Sequence, residues 1–199
     1  IDAGKQLNIA INPDFGQVES DELVVNFSSS ETFYSDKRPF FSENHSLFDV
    51  KSDEIFYIIN TRRIGAAPDY DCSRYGAELA EACAAASTGI SDIDVALRYT
   101  QQGESIDFGF LGALESDAEF SEGRQFYALR GVKNGENYSV GYLGTLADRP
   151  FIDRTATVHS VDWLYRPSET VRLSAVGMRS DVDEAIDDLD SSGNGITLD

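Results

Sequence analysis

The residues best suited to chemistry are basic side chains that stand close to carboxylates. The chain has 16 basic residues against 35 acidic ones, yet basic residues occur as the pairs Lys37-Arg38 and Arg62-Arg63. The carboxylates of the same region are those of Asp14, Glu19, Asp21, Asp36 and Glu43. Arginine and carboxylate groups form directional, often bidentate hydrogen bonds. We therefore predict that these charges meet in an ion-pair network inside the fold.

Two adjacent aromatic residues, Phe40 and Phe41, follow the first basic pair. Their rings could anchor an inward-folded segment by becoming buried. The network then has two interpretations: it holds this segment in place, or it gates the passage of a substrate. The structural role is favoured, because structural ion pairs commonly imitate functional sites.

An oxygen-rich segment later in the chain partly matches a calcium-binding loop. Asp188, Asp190 and Ser192 occupy its first, third and fifth positions, Gly193 its sixth and Asp199 its twelfth. The twelfth position lacks the bidentate Glu, and short motifs often match by chance. We expect a solvated acidic hairpin here, with calcium binding as the alternative and no other metal site.

The cysteines, Cys72 and Cys83, are close enough in sequence for a local disulfide in an oxidising compartment. Within a single helix they would lie about 16 Å apart, beyond the reach of a disulfide. The bridge therefore requires Cys72 to lie outside any helix that contains Cys83. Two free thiols are the alternative.

Enzymatic chemistry is poorly supported. His45 and His159 belong to no recognisable nucleophile or zinc motif, and the chain has no phosphate loop or dinucleotide fingerprint. We predict a protein that is not an enzyme and that needs no cofactor. The net charge of −19 also disfavours nucleic acid as a partner, because phosphate binding needs a basic surface.

The elements that must position these residues are β-strands. Residues 5–12, 22–28 and 54–60 are strand candidates, and residues 66–91 form a long loop with one short Ala-rich helix. From Asp92 a regular hairpin meander is predicted. Its strands are 92–100, 104–114, 124–132, 137–146, 155–165 and 169–179. We treat residues 1–199 as one unit. Residues 1–65 contain strands and a polar folded-in loop, and residues 92–199 form the meander.

The meander has short turns at Gln102-Gly103, Asn134-Gly135 and Pro167-Ser168. They alternate with longer acidic connections at 115–123, 147–154 and 180–194. No apolar run is long enough for a transmembrane helix. Short turns on one side, long loops on the other and alternating faces are typical of outer-membrane β-barrels. A soluble β-sandwich also alternates, so it remains the alternative fold.

Three sequence blocks support the barrel: NPDFGQVESD at 12–21, KRPFF at 37–41 and RRIG at 62–65. In order and spacing they resemble an uncharacterised family of bacterial outer-membrane proteins. In that family a module similar to family-nine carbohydrate-binding modules precedes a barrel. The resemblance implies an all-β, antiparallel part of a larger barrel, with further strands before Ile1 and after Asp199. It implies no catalytic residues.

On this basis we expect a component of the bacterial outer membrane, with periplasmic or secreted localisation as the alternative. Its partners would be lipid or lipopolysaccharide, glycans captured through a module not contained in this sequence, and another chain that completes the sheet. Surface glycan capture and small-solute passage are the expected roles. A soluble carbohydrate-binding domain with stacking aromatics, including Trp163, Tyr165, Tyr138 and Tyr142, is the second hypothesis. A glycan-active hydrolase is the third.

Overall fold

The computed structural model describes residues 4–14, 36–50, 58–87, 89–184 and 189–198. Within them, eight strands form a single antiparallel sheet in the order β1 to β8. The strands are β1 Lys5–Ile11, β2 Ile93–Gln101, β3 Ile106–Glu115, β4 Gln125–Asn134, β5 Tyr138–Arg149, β6 Arg154–Ser168, β7 Val171–Glu184 and β8 Leu189–Leu198. The all-β antiparallel meander predicted from the sequence is confirmed.

Several predicted boundaries are wrong. Residues 58–60 lie outside any strand, because Ile58 and Ile59 pack onto the core of the protein instead of joining the sheet. The long connections predicted at 147–154 and 180–194 are largely strand. Cross-strand pairing continues β5 to Arg149, begins β6 at Arg154 and continues β7 to Glu184, and a 3₁₀ turn at Pro150–Ile152 closes the β5–β6 hairpin. The strand candidate at 22–28 and residues 54–57 of the candidate at 54–60 lie outside the described residues.

The two faces of the sheet differ in what covers them. The inner face is buried and combines apolar and charged side chains, among them Ala96, Arg98, Leu111, Arg130 and Asp162. The outer face is apolar and solvent-exposed. Its members include Leu7, Ile9, Ile11, Ile106, Leu129, Tyr138, Val140, Tyr142, Val161, Trp163, Val171, Leu173 and Ile196. The polarity is thus unusual, because charge is buried on one side while apolar side chains are exposed on the other.

Two stretches, 36–50 and 58–67, cover the inner face, and we call them the docked segments. The first contains α1 Pro39–Ser42 and a 3₁₀ turn at His45–Leu47, and the second a 3₁₀ turn at Thr61–Arg63. Their buried side chains join those of the inner face in one apolar core. Its buried members are Phe41, Leu47, Phe48, Ile64, Ile93, Ala96, Leu111, Ala113, Ala128 and Leu143.

The connection from the second docked segment to β2 carries α2 Ala77–Ala86 and a 3₁₀ turn at Cys72–Arg74. Cys72 lies outside the helix and is bonded to Cys83, with the two Cα atoms 5.6 Å apart. The ring of Tyr75 packs edge-on against Phe120 at 5.3 Å, which ties this connection to the β3–β4 loop. No helix among the described residues is long and apolar enough to span a membrane.

Removing the bridge should loosen α2 without unfolding the sheet. In the chain-entropy model, closing a loop of this length stabilises the folded state by about 3 kcal/mol. The variant Cys72→Ala/Cys83→Ala should therefore lose hydrogen-exchange protection in α2 while β2 to β7 keep theirs. Ala84→Ser, an exposed change on the same helix, is the control. Equal protection of α2 in both variants would contradict a stabilising role for the bridge.

Candidate functional site: a buried arginine network

The network predicted around Arg38 begins with a local ion pair. Arg38 is 3% exposed, and its guanidinium donates to both carboxylate oxygens of Asp36 at 2.9 and 2.7 Å. It also donates to the main-chain carbonyls of Thr61 and Ile64, each at 2.7 Å. The ring of Phe41 lies 4.3 Å from the guanidinium carbon. Arg38 therefore joins the first docked segment to the second.

Gly65 shapes the second docked segment beside this pair. Its backbone has a φ of +78°, and an added Cβ would lie 3.4 Å from Nη1 of Arg38. Its N–H donates to Oε1 of Glu115 at 2.7 Å. Glycine alone adopts this conformation without strain, so the RRIG block ends in glycine because the chain turns here against two charged groups.

A second arginine reaches up from β2 into the first docked segment. Arg98 donates from Nη2 to Oε2 of Glu43 at 2.6 Å and from Nη1 to the carbonyl of Phe40 at 2.5 Å. It also donates to the carbonyl of Glu43. Its guanidinium is thus bonded to one carboxylate and to two carbonyls of the docked segment.

The most deeply buried pair joins β4 to β6. Arg130 is 0% and Asp162 is 1% exposed, and Arg130 donates to both oxygens of Asp162. The same guanidinium donates to the carbonyl of Leu47 at 3.2 Å and to that of Asp49 at 3.4 Å. This pair therefore holds the end of the first docked segment against the middle of the sheet.

A fourth arginine closes the end of the site where the β3–β4 loop enters β4. Arg124 donates to Glu115 through Nε at 2.6 Å and Nη2 at 3.0 Å. It also donates to the carbonyls of Ala66 and Ala67 at 2.9 and 3.0 Å. All four arginines thus follow one pattern, in which each pairs with a carboxylate and donates hydrogen bonds to main-chain carbonyls of a docked segment. A guanidinium can do both because it carries five N–H donors in a fixed planar arrangement.

The carboxylates outside the strands are held in their charged form. Burial alone would raise the pKa of Asp36, but hydrogen bonds and the charge of Arg38 outweigh it and lower the pKa. The hydrogen bond from Arg98 lowers the pKa of Glu43 below its ordinary value of 4.5. Both groups are therefore ionised near neutral pH and act as acceptors, which suits an ion-pair latch and not a general acid.

Acid should weaken the hold on the first docked segment. A lowered folded pKa means that the contribution of Glu43 to stability is complete above pH 4.5 and is lost as pH falls through the folded pKa. The stability difference between the natural protein and Glu43→Gln should therefore shrink between pH 7 and pH 3.5, as measured by thermal unfolding. Glu136→Gln, in the exposed β4–β5 turn, should show no such change. A difference that stays constant with pH would contradict the latch.

Gly141 is the position on β5 over which the deepest pair lies. A Cβ at this residue would approach both nitrogens Nη1 and Nη2 of Arg130 to 2.6 Å, and would also meet Asp162. We expect Gly141→Ala to destabilise the protein by about 1–3 kcal/mol, as overpacking does. Gly131→Ala is the control in neighbouring β4, because nothing lies within 4 Å of its added Cβ. Equal denaturation midpoints would contradict this account of Gly141.

The structure describes eight of the ten residues predicted for the network. Arg38, Phe40, Phe41 and Glu43 lie in the network with Asp36. Lys37 and Arg63 are exposed and Arg62 is half-buried, while Asp14 is exposed near the end of β1. Glu19 and Asp21 lie outside the described residues. The assignment of these groups to a barrel lumen stays a prediction.

Sequence reasoning missed the arginines of the meander. Arg98, Arg124 and Arg130 donate to main-chain carbonyls of the docked segments, and Asp162 pairs with the guanidinium of Arg130. The sequence does contain a signal for Arg130. It shares the inward face of β4 with Ala128 and Val132, so a charged residue stands among small apolar ones.

The calcium interpretation is not supported by the backbone. Residues Leu189–Leu198 form an extended strand paired with β7, whereas a calcium loop must fold its ligands around one ion. The two other candidate ligands, Asp188 and Asp199, lie outside the described residues. Among the described residues, no three acidic, His or Cys side chains converge as a metal site.

His159 lies on the outer face, where its Nδ1 is 2.7 Å from the hydroxyl of Tyr142. On the same face the rings of Trp163 and Tyr165 stack with centroids 5.9 Å apart. His45 lies in the first docked segment, 3.3 Å from Asp49. The two histidines are thus on opposite sides of the sheet and share no site.

Residues 4–90 match the model of a domain of unknown function (DUF5916). The match includes β1, both docked segments and the disulfide-bonded connection, and it stops before β2. It covers less than half of the 199 residues and is consistent with an uncharacterised family. No curated protein matches the chain, and no solved structure does.

Proposed function

We propose that this chain forms part of the wall of a bacterial outer-membrane β-barrel, with the docked segments folded into its interior. The observation that carries the proposal is the inverted polarity of the sheet. Buried arginine–carboxylate pairs occupy the inner face, and a continuous apolar surface is exposed on the outer face. Contiguous apolar surfaces of this kind are rare in soluble monomers, whereas lipid requires them.

The position of the apolar residues supports strands that are tilted in a membrane. On β1 the outward apolar residues are centred on Ile9, which is in register through β2 to β5 with Thr157 on β6. On β6 they are centred on Trp163, six residues further along. Six residues at about 3.4 Å rise, across five strand spacings of about 4.8 Å, correspond to a tilt of about 40°. Outer-membrane strands tilt by about 35–45°.

The borders of this apolar band are polar or aromatic. At the end with the short hairpin turns, Lys5, Gln101 and Lys133 face outward on β1, β2 and β4. At the opposite end Thr157 and Asp181 do so on β6 and β7. Tyr138 and Tyr165 lie towards the short-turn border, and aromatic rings are favoured at such interfaces. These features support short turns in the periplasm and the disulfide-bonded connection outside.

The inner face suggests what such a wall would do. The docked segments occupy the space beside it and are fastened by four arginines, so solutes could not pass along this part of the interior without displacing them. We therefore propose a barrel in which the docked segments restrict small-solute passage, with surface glycan capture as a linked role of the whole protein. We propose no catalytic role.

Membrane partition of the protein in its native source tests the proposal. We expect a species that resists extraction without detergent and whose electrophoretic mobility changes on heating. Washing with carbonate distinguishes an embedded protein from a peripheral one. A protein that is fully soluble without detergent would overturn the outer-membrane proposal.

A soluble carbohydrate-binding domain is the second candidate, and the stacked, partly exposed rings of Trp163 and Tyr165 favour it. Aromatic faces of this kind could stack on sugar rings. If this candidate is correct, the detergent-free protein should bind a glycan and Trp163→Ala should abolish binding. Under the membrane proposal the same variant alters insertion and binds glycans no differently.

A further inference from the structure

A cavity of about 230 Å³ lies between the second docked segment and the inner face of β3, β4 and β5. Small side chains form its floor. Ala128 on β4 is in register with Thr145 on β5, and Ala147 follows Thr145 on the same face of β5. Because these side chains are short, a space stays open between the sheet and the docked segment above it.

The walls of the cavity are apolar. Ile58, Ile59 and Ile64 line it from the docked segment, and Leu111 and Phe126 line it from the sheet. Ile58, Ile59 and Phe126 are only half-buried, so a small molecule can reach the cavity. An apolar cavity of about 150 Å³ in a protein core binds benzene. Since this cavity is larger, it has room for one ring with a small substituent.

Thr145 supplies a polar group to this apolar site. Within the described residues its hydroxyl has no hydrogen-bond partner, and it is not closed off from the cavity. A hydroxyl both donates and accepts a hydrogen bond, and a few polar groups of this kind orient the ligand in an otherwise apolar pocket. Asn60 also lines the cavity, but its amide oxygen is buried without a partner and is therefore out of reach.

The charges around the cavity favour a neutral ligand. The four buried arginines of the network already pair with carboxylates. Arg63, a charged residue of the lining, is exposed, so it lies at the mouth of the cavity. The net charge of −19 repels anions.

We infer that the cavity is a binding site for a small, neutral, single-ring molecule that carries one hydroxyl, as phenols do. The ring fills the space between the isoleucines and Phe126, where aromatic faces pack well, and the hydroxyl bonds to that of Thr145. The inference goes beyond the proposed function and does not depend on it, because the inner face is buried whether the outer face meets lipid or water.

Methyl NMR on the full chain, labelled at the isoleucine Cδ1 atoms and held in deuterated detergent, tests the inference with 4-fluorophenol as the probe. The signals of Ile58, Ile59 and Ile64 should shift and saturate, while those of Ile9 and Ile196 on the outer face should not. Equal shifts at all five would show that the probe only dissolves in the detergent, and would overturn the inference. If the protein proves soluble, the same titration in buffer tests the cavity although the outer-membrane proposal has failed.

The chemical class of the ligand is tested by comparing probes. 4-Fluorophenol should bind about three- to tenfold more tightly than 4-fluorotoluene, which lacks the hydroxyl, and the variant Thr145→Val should remove this preference. Thr157→Val, the same change on the outer face, should preserve it. Equal binding of the two probes to the natural protein would overturn the role of the hydroxyl. Tighter binding of 4-fluorobenzoate would overturn the neutral ligand.

A variant that fills the cavity provides the last measurement. Ala147→Leu should abolish binding of both probes, whereas Ala118→Leu, in the exposed β3–β4 loop, should leave it unchanged. The signal of Ile93, a buried core residue, reports whether each variant is folded. Undiminished binding to folded Ala147→Leu would place the probe elsewhere and overturn the inference. If Ala147→Leu does not fold, the comparison of Thr145→Val with Thr157→Val decides.

Discussion

Arg130→Met should destabilise the protein by about 3–5 kcal/mol, because it leaves the carboxylate of Asp162 buried without its partner. Asp162 is 1% exposed, so water cannot replace the lost guanidinium. The variant also removes the donors to the carbonyls of Leu47 and Asp49. Equilibrium unfolding in urea, in detergent micelles, measures the loss.

Arg166→Met is the matched control, because Arg166 is exposed at the short-turn end of β6. Surface changes of this kind stay within about 0.5 kcal/mol. If the two variants unfold at the same urea concentration, the pair of Arg130 and Asp162 does not hold the fold together.

The double variant Arg130→Met/Asp162→Leu separates the two roles of the pair. Replacing both partners of a buried ion pair by apolar residues is often neutral or stabilising, so the sheet should regain most of its stability. The carbonyls of Leu47 and Asp49 would still lack their donor. Hydrogen exchange in the first docked segment should therefore remain faster than in the natural protein.

The meander was predictable because its information is local. Turn residues such as Asn134-Gly135 and the alternation of the strands beside them specify a hairpin within about twenty residues. The extensions of β5, β6 and β7 were missed because acidic and polar residues there resemble a loop. In the structure they continue the strands beyond the apolar band, where both strand and loop tolerate polar side chains.

The network was predictable only where its members are near in sequence. Arg38 and Asp36 are two residues apart, and the basic and acidic cluster around them drew attention to that region. Arg130 bonds to Leu47 and Asp162, which lie 83 and 32 residues away. Nothing local specifies those contacts, since they depend on the register of three strands, β4 to β6, and on how the docked segment folds across them.

A charge placed in the apolar band provides the clearest separation of membrane and soluble alternatives. Val161→Arg lies on the outer face of β6 at a position that is 51% exposed. In a bilayer we expect a loss of about 2–4 kcal/mol, as for arginine on the lipid face near the midplane. In a soluble domain the same arginine would face water and change stability by no more than about 0.5 kcal/mol.

Thr157→Arg is the control on the same strand and the same face, four residues towards the polar end. Near the interface such a charge costs about 0–1 kcal/mol. Unfolding from lipid vesicles should therefore rank Val161→Arg well below Thr157→Arg in stability. If the free energies of unfolding of both variants are similar and close to that of the natural protein, the outer face does not contact lipid.

The variant Leu97→Arg tests whether the strands are tilted. Leu97 faces outward on β2, in register through β3 to β5 with Thr157. In a sheet whose strands run parallel to the membrane normal, the two positions lie at one depth and their arginine variants lose equal stability. With strands tilted by about 40°, Leu97 lies within the apolar band and Thr157 beyond it. We expect Leu97→Arg to lower the free energy of unfolding by about 2–4 kcal/mol, as Val161→Arg does. Thr157→Arg should have a much smaller effect, although Thr157 is in register with Leu97.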